Sequence, residues 1–299
     1  MALPGSGPMS LAQLQTEFGG SNPISLSEYY RGGAYVTANN SSVPTSGQMS
    51  LSQFYGAVRQ FAFTISSNYS TPQNLRSLAL AAGWNGSDFL LATNSAIISS
   101  NTTASAALTI NGSFPNGVSF INNSYIIGMG GRGADGSYAA QPGFAGGNAL
   151  AVSSAVSITN NGTIAGGGGG GGAGTRWVWN GYDRSSPGSG GASGFTAAGE
   201  GYTTGNVWSE RGIKAYPSSD SNGDGIYETP GASFNWGWGG RLSSPGGRGG
   251  NWGSAGDAGG TVDGNYNYSG YAGGAGGAAV SGNSNVTWIA TGTRYGALA

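Results

Sequence analysis

Apolar and polar residues alternate with period two in several short segments of the first half of the chain, among them Phe61-Ala62-Phe63-Thr64-Ile65, Leu108-Thr109-Ile110 and Val118-Ser119-Phe120-Ile121. Such alternation predicts half-buried strands. Between the first two, Asn74-Leu75-Arg76-Ser77-Leu78-Ala79-Leu80-Ala81-Ala82 has helical spacing, and Gly83 follows it as a stop. Upstream the pattern repeats. Leu3-Pro4-Gly5-Ser6-Gly7-Pro8-Met9-Ser10-Leu11-Ala12-Gln13-Leu14 returns as Val43-Pro44-Thr45-Ser46-Gly47-Gln48-Met49-Ser50-Leu51-Ser52-Gln53-Phe54, with a shorter echo at Ile24-Ser25-Leu26-Ser27-Glu28-Tyr29-Tyr30. In each copy a serine stands as N-cap before one or two helical turns, whose leucines and aromatics can share a small core.

A second repeat leads into glycine. Phe120-Ile121-Asn122-Asn123-Ser124-Tyr125-Ile126-Ile127-Gly128 aligns with Ile158-Thr159-Asn160-Asn161-Gly162-Thr163-Ile164-Ala165-Gly166. Asn and Gly tolerate positive φ, so each copy is expected to turn a strand tightly and feed it into a glycine run. Stacked copies would lay those runs side by side.

Glycine then changes the picture, because the chain has 61 glycines in 299 residues, including the unbroken run Gly166 to Gly172. Disordered segments are poor in aromatics, whereas this chain has 8 Trp, 15 Tyr and 10 Phe, so the glycines are read as ordered. A polyproline II chain has three residues per turn and no internal hydrogen bonds. Buried, its backbone groups must pair with neighbouring chains, and the lack of Cβ lets those neighbours approach. Side chains should then recur at every third position. Arg248, Asn251, Ser254 and Asp257 do so, as do Ala275 and Ala278. Collagen would need a long, unbroken Gly-X-Y pattern. The expected fold is mostly irregular and β with a polyglycine II helix bundle: a small N-terminal helical repeat module at 1–59, a small α+β domain at 60–127, and a C-terminal glycine-rich sandwich at 128–299 that carries loops and a C-terminal strand.

Charge and the missing residue types exclude much chemistry. With 11 basic and 12 acidic residues there is no basic footprint for nucleic acid. No apolar stretch is long enough for membrane insertion, and the N-terminus lacks the features of a signal peptide. The absence of Cys and His removes disulfides, thiolate and imidazole metal ligands, and His-based catalysis. A carboxylate-only glycosidase needs an acid pair about 5 to 9.5 Å apart; the scattered acids offer no obvious pair, and no enzyme is expected.

In combination, these features resemble the glycine-rich receptor-recognising adhesins at the tips of tailed-phage fibres. The resemblance rests on Asn122-Asn123-Ser124-Tyr125-Ile126-Ile127-Gly128-Met129-Gly130-Gly131-Arg132-Gly133, on Gly146-Gly147-Asn148-Ala149-Leu150, and on Asn160 to Ala165 with the glycines after it. The closing Asn285-Val286-Thr287-Trp288-Ile289-Ala290-Thr291-Gly292-Thr293-Arg294 is similar to the last strand of related tail proteins, and the Leu-Pro-x-Ser-Gly-x-Met-Ser-Leu start to that of many virion proteins. The resemblance implies a sandwich of polyglycine II helices whose joining loops contact the host receptor, on the virion at a tail fibre or tail tip. At the N-terminus the repeats stand where the family's usual attachment domain would be. Residues 1–59 are therefore read as the attachment to a phage fibre or baseplate protein.

The candidate binding residues lie between the glycine runs: Arg176, Trp177, Trp179, Tyr182 and Arg184; then Tyr202, Trp208, Tyr227, Trp236 and Trp238; then Tyr266 and Tyr268. Rigid aromatics among Ser, Gly and Asn are the composition of antibody binding loops, and aromatic faces also suit sugars. The receptor is expected to be a bacterial outer-membrane protein or glycan. Some of these aromatics can equally cap the ends of a bundle that has no apolar side chains. Asp220, Asn222, Asp224 and Glu228 follow the front of a calcium loop, but position 12 is Gly231 in place of the bidentate Glu. No cofactor is required, and calcium and an ordinary Asx-rich turn both fit the motif. The alternatives are a purely structural baseplate or fibre component and, more remotely, an ice-binding protein.

Overall fold

The computed structural model describes residues 3–134, 142–174, 247, 249–260 and 270–299, and the backbone of four short strands lying between 174 and 247.

The N-terminal segment holds three short helical turns, one behind each serine of the repeat. Ser10 caps α1 (Leu11–Phe18) in a reciprocal box with Gln13, and Ser50 and Gln53 make the same box at the short 3₁₀ turn Leu51–Phe54. A second 3₁₀ turn, Leu26–Tyr29, follows Ser25. Together they enclose a core of Leu3, Leu14, Phe18, Tyr29, Val36, Val43, Phe54 and Ala57. Glu17 accepts from the Arg59 backbone N–H at 2.8 Å, and the Arg59 side chain reaches Asp88 at 2.9 Å, so the module meets the next unit at this end of α1.

The strands that follow are β1 (Gln60–Ile65), β2 (Gln73–Asn74), β3 (Phe89–Asn94), β4 (Ile98–Ser99), β5 (Leu108–Ile110), β6 (Val118–Asn122), β7 (Tyr125–Ile127), β8 (Leu150–Val152), β9 (Val156–Asn160) and β10 (Thr163–Ala165). Next come the short strands β11 (Trp177–Trp179), β12 (Tyr182–Arg184), β13 (Asn235–Trp236) and β14 (Gly240–Arg241). The last are β15 (Val280–Ser281), β16 (Val286–Ala290) and β17 (Thr293–Tyr295). Helix α2 (Leu75–Ala81) has Asn74 as its N-cap, and Gly83 follows at φ +101°, as the sequence predicts.

Three parallel sheets hold these strands, in the orders β1-β3-β6-β9-β16, β4-β7-β10-β17 and β2-β5-β8-β15. The chain visits them in rotation, so β3, β4 and β5 form one coil and β6, β7 and β8 the next. This is a three-faced parallel solenoid. Like residues stack down its axis: Phe120 lies beside Ile158, Ile126 beside Ile98 and Ile164, and Leu150 beside Leu108 and Val280. All of these are fully buried. The strands of 60–127 thus share their sheets with strands from 150–165 and 280–295, across the expected boundary at 127/128. The closing segment supplies two strands, not one, and these complete the last coil.

The Asn-Asn corners work differently from the tight turn the sequence suggests. They join strands of two different sheets, and Gly162 is not at positive φ; a Cβ there would lie 2.1 Å from the Ser124 carbonyl oxygen of the coil beneath. The corner is held by side chains. Asn94 Nδ2 donates to Asn122 Oδ1 at 2.8 Å, Asn122 Nδ2 to Asn160 Oδ1 at 2.7 Å, and Asn160 Nδ2 to the Thr291 carbonyl at 2.8 Å.

Glycine-rich legs are inserted where two coils pass from the second sheet to the third. Leg 1 (128–134) and leg 2 (142–149) link β7 to β8. Leg 3 (165–174), leg 4 (247 and 249–252), leg 5 (254–260) and leg 6 (270–279) lie between β10 and β15. Leg 3 is central. Its carbonyls from Ala165 to Ala173 accept in strict rotation: those of 165, 168 and 171 from leg 1, those of 166, 169 and 172 from leg 4 and the Gly253 turn, and those of 167, 170 and 173 from leg 6. Gly167 and Gly170 donate to leg 2, and Gly169 and Gly172 to leg 5. With neighbours on so many sides, leg 3 has no room even for a Cβ at Gly166 to Gly170 or at Gly172, where it would lie 2.0 Å or less from a neighbouring carbonyl oxygen, and all of the leg is buried. The outer legs keep one face free, so Met129 and Arg132 are partly exposed between buried glycines, and Ala272 and Ala275 are exposed.

The stripe expected along 248–257 is interrupted. Gly253, at φ +66°, reverses the chain, and Ser254 N–H donates to the Asn251 carbonyl at 3.0 Å. Asn251 therefore belongs to leg 4, whereas Ser254 and Asp257 belong to leg 5. A one-residue reversal at positive φ is what glycine permits, and in sequence it is indistinguishable from the glycines around it.

Candidate functional site: the loop-bearing end of the glycine bundle

Legs 1, 3 and 5 run away from the solenoid, and legs 2, 4 and 6 return to it. At the near end Gly128 N–H meets the Ala165 carbonyl, Gly253 N–H that of Gly166, and Gly277 N–H that of Gly167. Trp252 lies here, 3% exposed, packed with Ile127, Ala165 and Tyr295. Although it falls within the aromatic cluster of the sequence, this tryptophan seals the bundle against the solenoid.

At the far end Ala134 N–H meets the Gly171 carbonyl, Gly247 N–H that of Gly172, Gly172 N–H that of Asp257, Tyr271 N–H that of Ala173, and Gly143 N–H that of Ala272. All the legs thus end at one level. From this end depart residues 135–141, 175–246 and 261–269, which join them. The three insertions are far apart in sequence, but their bases are hydrogen-bonded neighbours.

Every sequence-predicted candidate belongs to two of these segments. Arg176, Tyr202, Trp208, Tyr227, Trp238, Tyr266 and Tyr268 lie outside the described residues, as do Asp220, Asn222, Asp224 and Glu228 of the calcium motif. Trp177, Trp179, Tyr182 and Arg184 are described as backbone only, in the antiparallel pair β11–β12, where Trp177 stands opposite Arg184 and Trp179 opposite Tyr182. Trp236 lies in β13, opposite Gly240 of β14. Among the described residues no group of three or more acidic side chains could hold a metal ion.

Two described aromatics at the bases of the loops escape a reading based on loops alone. Phe144 is 42% exposed and Tyr271 is 37% exposed. The Arg132 guanidinium lies 4.6 Å from the Phe144 ring centroid, a cation–π stack on the flank of the bundle. Their signal in the sequence is an aromatic inside a glycine leg, within three residues of its loop.

Residues 60–299 match the family described as phage tail fibre adhesin Gp38. The chain belongs to the phage tail fibre adhesin Gp38 family. No curated protein matches it at a significant level. Among solved structures, the adhesin is similar to a chain of the gp37–gp38 adhesin tip complex of the bacteriophage S16 long tail fibre, with a TM-score of 0.56 and 23% identity over 98% of this chain and 99% of that one. The adhesin is therefore a virion tail-fibre component and not an enzyme. Its N-terminal module lies outside the family match but inside the structural one. No helix among the described residues is long and apolar enough to cross a membrane.

Proposed function

We propose that the adhesin binds a bacterial surface receptor, an outer-membrane protein or a glycan, through residues 135–141, 175–246 and 261–269, while residues 1–59 attach it to a phage fibre or baseplate protein. The observation that carries this reading is the convergence of all three insertions at the end of the bundle farthest from the solenoid. In this reading the legs are polyglycine II helices, supported by their hydrogen-bond spacing of three, and leg 3 is a spacer about 28 Å long at 3.1 Å per residue. Being bonded to neighbours on several sides, it holds the loop bases at fixed separations without an apolar core of its own. Tyr and Trp on such bases offer large contact area at low entropic cost. The partnership of the S16 complex supports the fibre attachment.

The test is competition. Purified adhesin should block adsorption of its phage to host cells, and Trp177→Ala with Trp179→Ala, or Tyr266→Ala with Tyr268→Ala, should weaken that block about tenfold or more, as loss of central aromatics does in other interfaces. Thermal unfolding should stay unchanged. If the wild-type protein competes and neither pair alters competition, these aromatics are not the contact; if the wild-type protein does not compete, the adhesin is a structural spacer.

Calcium at Asp220, Asn222, Asp224 and Glu228 would stiffen the longest of these segments. Chelation should then lower host binding, and added calcium should restore it. Equal binding with and without chelator, or no calcium uptake by the purified protein, removes the metal from this account.

A further inference from the structure

The two ends of the solenoid are finished differently. A parallel solenoid has no stop of its own, because its last coil offers the same unpaired backbone edge and the same apolar columns that each earlier coil offers to its successor. At the first coil the N-terminal module is in place, joined through Glu17 and through the Arg59–Asp88 pair. At the other end stand β16, β17 and the last residues of the chain, and no further strand follows them among the described residues.

The inward columns change character at this end. In the second sheet Ile98, Ile126 and Ile164 lie in register and are fully buried, and the next residue in their column is Arg294. In the first sheet Phe63, Ala92, Phe120 and Ile158 are followed by Trp288. Trp288 packs against the core, its Nε1 donates to Asn283 Oδ1 at 2.9 Å, and the Arg294 guanidinium lies 4.8 Å from its ring centroid. Arg294 is the one charged side chain in 280–299, and it forms no ion pair among the described residues.

The backbone edges are altered as well. β16 follows β9 in register as far as Trp288 and resumes with Ala290 beside Thr159, so Ile289 is an extra residue, and it is 66% exposed. Such a bulge bends the strand and spoils the regular spacing that a further strand would need. On the third sheet the chain's last residues take the edge themselves. Val280 N–H donates to the Ala297 carbonyl at 3.2 Å, Ala299 N–H to that of Val280 at 2.9 Å, and Asn283 N–H to that of Ala299 at 2.8 Å.

We infer that residues 286–299 are an end cap that keeps two copies of the adhesin from joining through their solenoids, with Arg294 and the Ile289 bulge as the features that prevent it. An isoleucine at 294 would continue the column beneath Ile164. A guanidinium there must give up its water when a second coil is laid over it, with no acid to receive it, which disfavours the contact. Because the N-terminal module occupies the opposite end, an opened end can meet only the same end of another copy, and the product is a two-fold dimer.

The test compares full-length wild type with a variant that combines Arg294→Ile and deletion of Ile289, by sedimentation velocity across a wide range of concentration. Wild type is expected to sediment as a monomer throughout, the variant to double its mass as concentration rises, and Arg294→Lys, which keeps the charge, to stay monomeric. A folded double variant that remains monomeric overturns the inference. So does a wild-type protein that associates and is returned to monomer by Ile289→Lys, since this end would then be an interface. Arg294→Ile alone keeps the test decisive if the deletion disturbs folding. With isoleucines above it in the column it should melt close to the wild type and still associate as concentration rises. If it melts well below the wild type and stays monomeric, Arg294 serves stability through its stack on Trp288 and the inference falls.

Discussion

Gly169→Ala is expected to disrupt the glycine bundle and abolish adsorption to the host, whereas Gly5→Ala leaves both folding and adsorption unchanged. A Cβ at Gly169 would lie 1.9 Å from the Gly274 carbonyl oxygen of leg 6, far inside the contact distance of real atoms, whereas one at Gly5 meets nothing within 4 Å. Ordinary overpacking costs about 1–3 kcal/mol because side chains can shift. Here the obstacle is backbone. Leg 6 donates to leg 3 at Tyr271, Gly274 and Gly277 and accepts from leg 5 at Tyr271 and Gly274, so displacing it strains or breaks several buried hydrogen bonds together. At about 1–3 kcal/mol for each buried group left unpaired, a loss of about 4 kcal/mol or more follows. Calorimetry and adsorption assays on the two variants check this; a Gly169→Ala protein that melts with the wild type and still adsorbs would show that the legs are looser than their hydrogen bonds indicate.

The same geometry explains what was legible in the sequence. Three-residue periodicity is a local property, so the free face of leg 6 at Ala275 and Ala278, exposed and partly exposed, and the absence of any free face at Gly166 to Gly172, are written in adjacent letters. The solenoid is not local. Its corner asparagines pair across 28 residues from Asn94 to Asn122 and across 38 from Asn122 to Asn160, and the last bond spans 131 residues, from Asn160 to Thr291. Insertions of unequal length break the coil period, so a repeat-based reading finds one pair of coils and takes the rest for separate pieces.

The candidate site was legible in composition and illegible in geometry. Aromatic residues between glycine runs mark candidate binding segments, but nothing in the letters says that 135–141, 175–246 and 261–269 leave from one end. That follows from the alternating direction of the legs, which depends on where each run reverses. Trp252 shows the limit. It sits in the same aromatic, glycine-rich context as Trp236 and Trp238, but is 3% exposed because the Gly253 reversal places it beneath the bundle.

Asn122→Ala is expected to destabilise the solenoid by about 3–5 kcal/mol, whereas Asn123→Ala costs under about 1 kcal/mol, although the two are neighbours in the same repeated pair. Asn122 is fully buried between Asn94, also fully buried, and Asn160, which is 1% exposed. Removing its amide leaves the Asn94 Nδ2 donor and the Asn160 Oδ1 acceptor without the partners they have at 2.8 and 2.7 Å, in a site with little water to replace them. Asn123 is exposed; it accepts from Asn161 Nδ2 at 2.9 Å, where solvent can substitute. Asn122→Asp separates hydrogen bonding from shape. The ionised side chain has the right size but offers Asn160 an acceptor in place of a donor, and burial raises its pKa above the usual carboxylate range. Protonated, it can accept from Asn94 and donate to Asn160. Stability of this variant relative to wild type should therefore be greatest at low pH and fall as pH rises through the raised folded-state pKa, the sign opposite to that of a salt-bridged carboxylate. Denaturant titrations of wild type and variant between about pH 4 and pH 8 would reveal it, the usual carboxylate pKa lying near the lower limit. A constant difference across that range would mean that the corner is held by packing and not by the ladder. Because β7 and β10, which follow the Asn122 and Asn160 corners, lead directly into legs 1 and 3, loss of the ladder should also loosen the base from which the three insertions depart.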